Sequence, residues 1–184
     1  MWYLAYGSNT LKSRLSAYLD GAASGPYGPH DGARDATRPA RERAVRVNRG
    51  VYFAGNSKRW HGPVAFLDLA PGGACLGRAY LLSLDQVADI AAQENGDAGT
   101  YPLRELPEVG GYLALPTAGK YDALLRLADH DRIPTVTLTT SRALPRGVPP
   151  PAYVDTIRSG LTEAAGFAPQ EIDAYVAGLL TGKH

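Results

Sequence analysis

Apolar positions along this chain come in short pieces with different spacings. Residues 2–6 form an apolar run that stops at Gly7-Ser8-Asn9 and reads as a strand. Leu11, Leu15, Tyr18 and Leu19 recur at helical spacing, so a helix follows, with Asn9 as its expected N-cap. From Gly21 to Pro39 the chain is polar and rich in glycine and proline, a long loop of the kind that carries function or moves. Four strands are predicted at 44–48, 51–55, 63–69 and 75–82, and alternation in the first two points Val45, Val47, Val51 and Phe53 inward. Leu84 to Asn95 reads as a helix ended by Gly96. No period is legible across 96–119. Strands at 120–128 and 133–140 are expected to join around Asp129-His130-Asp131. Behind Pro149-Pro150-Pro151, one helix carries Val154, Ile157 and Leu161; a second starts near Pro169 and carries Ile172, Val176 and Leu179.

Composition narrows this pattern to a class. Twenty-one glycines and fourteen prolines cut 184 residues into pieces too short for a helical bundle, which favours α+β in a single domain over 1–184. The net charge of +1 supplies no overall field toward nucleic acid or a membrane surface. A single cysteine, Cys75, excludes an internal disulfide and a cysteine-rich zinc site. The apolar start, Met1 to Tyr6, reaches Gly7 too soon for a signal peptide, and no apolar run approaches membrane-span length, so the expected compartment is the cytoplasm.

Four places hold candidate chemistry. In Tyr6-Gly7-Ser8-Asn9, a strand runs through a glycine turn into a helix, where free N–H groups can hold an anion or oxyanion; a plain capped turn is the alternative. Glu94 shares a helical stripe with Val87 and Ala91, and it sits in the last turn, where the helix dipole disfavours negative charge. Either it bends to solvent at a fraying end, or it stands there for function. The stretch 34–61 is basic, with Tyr52 and Trp60 interleaved, but Arg46 and Asn48 alternate with Val45 and Val47 as a solvated strand face would. Asp129-His130-Asp131 sits at an expected hairpin turn, where three adjacent side chains converge poorly on one metal. No metal site is expected, and no G-x-S-x-G surrounds Ser8.

Taken in order, these pieces resemble the γ-glutamyl cyclotransferase family. Tyr6-Gly7-Ser8-Asn9 after the first strand is similar to that family's Y-G-S-N loop, and Gln93-Glu94 to the helix end bearing its catalytic glutamate. Tyr101 follows Glu94 at the family's separation, and Pro149-Pro150-Pro151-Ala152-Tyr153 resembles its P-S-P-x-Y helix start. Three departures stand out: Thr10 replaces a usual leucine, Asn95 separates Glu94 from Gly96, and the loop 20–43 matches nothing in the family pattern.

The resemblance implies a small mixed β-barrel flanked by helices and a cofactor-free, metal-free reaction on a small-molecule γ-glutamyl amide. In that reaction the amide cyclises to pyroglutamate and frees the amine. Glu94 would be the general acid/base, relieving the attacking α-ammonium of its proton from an apolar recess and passing it to the leaving amine. Tyr6, Gly7, Ser8 and Asn9 would hold negative oxygen, and Tyr101 and Tyr153 would orient the glutamyl head. Two alternatives remain open: a non-catalytic module that binds a carboxylate metabolite or a partner, and hydrolysis or acyl transfer of γ-glutamyl groups.

Overall fold

The computed structural model describes residues 1–26 and 28–181. Its strands are β1 (Trp2–Ala5), β2 (Glu42–Val47), β3 (Val51–Ser57), β4 (Gly62–Leu67), β5 (Cys75–Leu81), β6 (Tyr112–Ala114), β7 (Ala123–His130) and β8 (Ile133–Thr139). Its helices are α1 (Lys12–Asp20), α2 (Leu84–Asn95), α3 (Pro151–Glu163) and α4 (Pro169–Thr181). β6 carries no signal in the sequence, because only Leu113 of its three residues is shielded from water and three residues show no period.

The α+β class holds, but the described strands do not close into a barrel. Six form one mixed sheet in the order β2-β5-β1-β8-β7-β6, in which β1 runs antiparallel to β5 and parallel to β8. β3 and β4 form a separate antiparallel ladder. Side chains do the work of backbone pairing where β4 passes β8. The Thr139 hydroxyl accepts from the Leu67 N–H at 3.2 Å and donates to the Leu67 carbonyl at 2.6 Å. Two residues along, the Ala65 N–H donates to the Tyr153 hydroxyl (3.1 Å), and the Tyr121 hydroxyl donates to the Ala65 carbonyl (3.2 Å). The buried backbone is thereby satisfied without a ladder. The seam keeps a gap that a closed barrel would have filled.

The turn after β1 departs from expectation. Ser8–Thr10 form a single 3-10 turn, α1 begins only at Lys12, and Leu11, with no side-chain cap, occupies the N-cap. Asn9 caps nothing, because its side chain is drawn across to α2. The turn is gripped from several sides. The Tyr80 hydroxyl lies 3.1 Å from the Asn9 and Thr10 carbonyls, and buried Arg78 reaches the Thr10 carbonyl at 3.2 Å while pairing with Glu42 and Glu163. Gly160 lets α3 press against this turn, since a Cβ there would fall 2.2 Å from the Leu11 nitrogen.

α2 follows its sequence closely. Ser83 and Gln86 make a capping box at its start, and Gly96 ends it in the left-handed conformation at φ 72°. Polar residues at 86, 89 and 93, the first two buried and the third half-buried, grip the long loop and the end of α1. Gln86 donates to the Asp35 and Thr37 carbonyls, Gln93 to the Tyr18 and Gly32 carbonyls, and buried Asp89 pairs with Arg34 at 3.0 Å. A two-way backbone bridge between Ala22 and His30 folds the loop back on itself. This segment is a strap fastened across the helix that carries Glu94.

Candidate active site

The gap in the seam is a recess of about 30 Å³, lined by Tyr3, Tyr6, Gly7, Ser8, Asn9, Ala65, Glu94, Tyr121 and Tyr153 among others. It opens into a basin of about 450 Å³ that shares Ser8, Glu94, Tyr121 and Tyr153 with it. The recess has room for a carboxylate or an oxyanion. The basin has room for a small molecule.

Glu94 stands where the two meet. The Asn9 amide donates to its Oε1 at 2.8 Å, so the first strand's turn and the last turn of α2 are joined through the carboxylate. The Asn9 Oδ1 is buried, with no hydrogen-bond partner among the described residues. Such an acceptor beside a carboxylate suits a ligand ammonium. The Lys120 Nζ meets the Glu94 backbone carbonyl at 2.7 Å, which answers the helix C-terminal dipole that the carboxylate itself opposes.

The surroundings of Glu94 are tyrosine-rich rather than apolar. Burial, reinforced by the Glu94 charge, pushes the Tyr3 and Tyr18 hydroxyls far above the ordinary tyrosine range. Burial likewise raises Tyr121, helped by Tyr153 and Glu94, and Tyr153, despite the Ala65 N–H. All four are neutral donors at physiological pH. Tyr6 is buried and donates to the Leu138 carbonyl at 2.6 Å. Gly7 lies against Tyr153, and a Cβ there would sit 2.6 Å from its hydroxyl. The expected cradle of loop N–H groups is narrower than a helix N-terminus would give. Those of Thr10 and Leu11 bond the Gly7 and Ser8 carbonyls, and that of Ser8 interacts with the Tyr153 oxygen.

Tyr101 is placed differently from the other six candidates. It lines neither part of the cavity; its hydroxyl donates to Asp97 at 2.5 Å and accepts from Asn95 at 3.1 Å. Asn95 in turn bonds both the N–H and the carbonyl of Tyr121, at 2.8 and 2.9 Å. The residue that interrupts the glutamate–glycine pair thus ties a wall tyrosine to the end of α2.

Sequence reasoning missed Arg14 and His30, and had Arg59 only as one of the arginines of the basic stretch 34–61, a few of which could help hold a carboxylate-bearing substrate. Buried Arg14 donates to Tyr18 at 2.5 Å and lies 2.6 Å from the His30 Nε2, and Arg59 lies 3.5 Å from the same nitrogen. Burial and the two guanidinium charges lower His30 to about 4, so it stays neutral and accepts from arginine. The i, i+4 spacing of Arg14 and Tyr18 on α1 was a usable signal, since it sets a cation on the apolar edge of that helix. Among the described residues no group of three or more His, Cys, Asp or Glu is arranged to hold an ion.

Sheet order, helix placement and the seam recess together define a γ-glutamyl cyclotransferase-like fold. A solved gamma-glutamyl cyclotransferase superposes on 97% of this chain and 87% of its own, with a TM-score of 0.59 and 18% identity. An uncharacterised protein from Homo sapiens superposes over 97% and 86%, with a TM-score of 0.60 and 17% identity. YkqA from Bacillus subtilis does so over 97% and 54%, at 0.52 and 14%. In sequence, the chain is 27% identical over 201 aligned residues to Histone deacetylase 5 of Arabidopsis thaliana, covering 96% of this chain but only 30% of that protein. No protein-family model matches the chain. No helix among the described residues is long and apolar enough to cross a membrane.

Proposed function

We propose that this chain is a single-domain γ-glutamyl cyclotransferase, with Glu94 as general acid/base. The observation that carries the reading is the Glu94–Asn9 pair at the mouth of an anion-sized recess, with the unpartnered Asn9 Oδ1 beside it. The substrate α-ammonium is held by Glu94 and the Asn9 Oδ1. The recess takes negative oxygen against the Tyr3 and Tyr153 hydroxyls and the Ser8 region. Glu94 accepts a proton from the ammonium, and the freed nitrogen attacks the γ-carbonyl carbon. The new C–N bond closes the five-membered ring, and Glu94 returns the first proton to the departing nitrogen as the original amide C–N bond breaks. The second proton on the ring nitrogen then passes through the freed carboxylate to the released amine, which leaves as an ammonium. Both reacting groups belong to one molecule, so positioning supplies much of the rate and the step balances without metal or cofactor.

A binding module would have no use for a second carboxylate beside an anionic ligand, which is why Glu94 favours catalysis. Glu94→Gln keeps an oxygen for the Asn9 amide but cannot accept a proton. Turnover of a γ-glutamyl amide panel, read as pyroglutamate by mass spectrometry, should fall by about 10²–10⁴-fold while the uncyclised substrate still binds. Wild-type turnover in the variant would refute the assignment. Free glutamate in place of pyroglutamate would establish hydrolysis. An acetylated histone peptide, read separately as released acetate, is tested beside the panel, given the relative's name.

A further inference from the structure

The outer basin is charged in a way that the reaction itself does not require. Arg14, Lys58, Arg59 and Lys120 all line it, and Glu94 is the one carboxylate among its described lining residues. Elsewhere in the chain eight arginines are matched to acids, among them Arg34 to Asp89, Arg46 to Glu171, Arg78 to Glu42 and Glu163, and Arg126 to Asp129. Lys58, Arg59 and Lys120 form no ion pair among the described residues. Arg59 is instead braced by neutral contacts, donating to the Gly28 carbonyl at 2.9 Å and lying against His30. His30 is held at the basin wall by the strap, where Arg14 and Arg59 both approach its Nε2. One neutral nitrogen thus holds two guanidiniums close together, and paired guanidiniums are well suited to anionic oxygen.

Resting on the cyclotransferase reading, we infer that the basin takes the amine half of the substrate, and that this half carries two negative charges, as a dicarboxylic amino acid or a phosphate monoester does. The glutamyl head brings one ammonium and one carboxylate, so it leaves the surplus of three positive charges in the basin unchanged. A singly anionic amine leaves two cations unanswered; a doubly anionic one leaves one. A cationic amine such as a diamine adds to the surplus. Trp60 lines the same basin and stands edge-on to Tyr153 at 5.0 Å, offering an apolar wall for the stem between the charges.

The test is a charge series on nearly one shape: γ-glutamyl-aspartate and γ-glutamyl-phosphoethanolamine, then γ-glutamyl-asparagine, then its C-terminal amide, then mono-γ-glutamyl-1,4-diaminobutane. Wild-type kcat/KM should drop about tenfold for each negative charge removed, through KM rather than kcat. The better of the two dianions identifies the carboxylate or the phosphate as the natural group. The double variant Lys58→Gln/Arg59→Gln should compress the dianion preference to within about tenfold. Equal or better turnover of the neutral or cationic amide by the wild type, or an undiminished preference in a folded double variant, overturns the inference. If no γ-glutamyl amide yields pyroglutamate, the cyclotransferase reading falls first, and the basin is then judged by calorimetry alone. N-acetyl-aspartate must bind wild type more tightly than N-acetyl-asparagine amide, or this inference falls as well.

Discussion

Gly7→Ala adds one methyl group to a site where the surrounding geometry fixes its consequence. The new Cβ would lie 2.6 Å from the Tyr153 hydroxyl, so one of the two must retreat by about 0.8 Å to reach ordinary contact. Tyr153 has little freedom to do so. Its ring is buried, edge-on to Phe53 at 6.2 Å and to Trp60 at 5.0 Å, and its oxygen receives the Ala65 N–H. Moving it strands a buried N–H on β4 at a cost of about 1–3 kcal/mol, with overpacking strain of similar size. For a chain of this length each kcal/mol lowers Tm by about 2–4 °C, so the combined loss of about 2–6 kcal/mol predicts a fall of about 4–24 °C by scanning calorimetry. Turnover should fall too, because the displaced hydroxyl belongs to the recess wall. The double variant Gly7→Ala/Tyr153→Phe separates this account from generic damage. With the oxygen gone the methyl group fits, and the double variant should be no less stable than Tyr153→Phe alone. Additive losses in the pair, or a Gly7→Ala protein that melts with the wild type, would refute the contact as the cause.

Other consequences can be checked more briefly. Thr139→Val removes both hydrogen bonds to Leu67 across the seam and should cost about 1–3 kcal/mol in urea unfolding; a neutral result would mean that β4 is held there by packing alone. His30 sits at about 4 in the fold against 6.5 unfolded, so the unfolded chain gains the proton first on acidification. Its contribution to stability is complete above about 6.5 and is lost as pH falls toward 4. The urea-midpoint gap between wild type and His30→Gln should therefore narrow over that window, and a constant gap would refute it. Asn95→Ala frees both backbone groups of Tyr121 and should lower kcat together with Tm, whereas an unchanged kcat would make Asn95 purely structural.

The sequence was informative where structure is local. α2 was legible to its last residue because Gly96 announces its stop, and Glu94 drew notice because it is wrong for a helix end. Asn9 misled for the same local reason: a residue suited to capping α1 was claimed by a carboxylate 85 positions away. Tyr101 has the family's spacing, yet Asn95 and Asp97 hold it outside the cavity, a competition that spacing does not encode. The open seam was illegible because its closure depends on which side chains replace a ladder between β4 and β8. Arg14, His30 and Arg59 meet only after α1, the strap and the β3–β4 turn have converged.

The fastening of that strap bears on how such a protein could change its diet. Gln86 and Gln93 seize main-chain carbonyls at 32, 35 and 37, and an amide donor gripping a carbonyl is indifferent to the side chain beside it. The loop's path is therefore written largely in the helix, not in the loop. Substitutions at positions such as His30 can remodel the basin wall without unfastening the segment or disturbing the carboxylate one residue beyond the last anchor. On the proposed cyclotransferase reading, mutational drift here would act as a dial on which amine is accepted, leaving Glu94 and Asn9 constant.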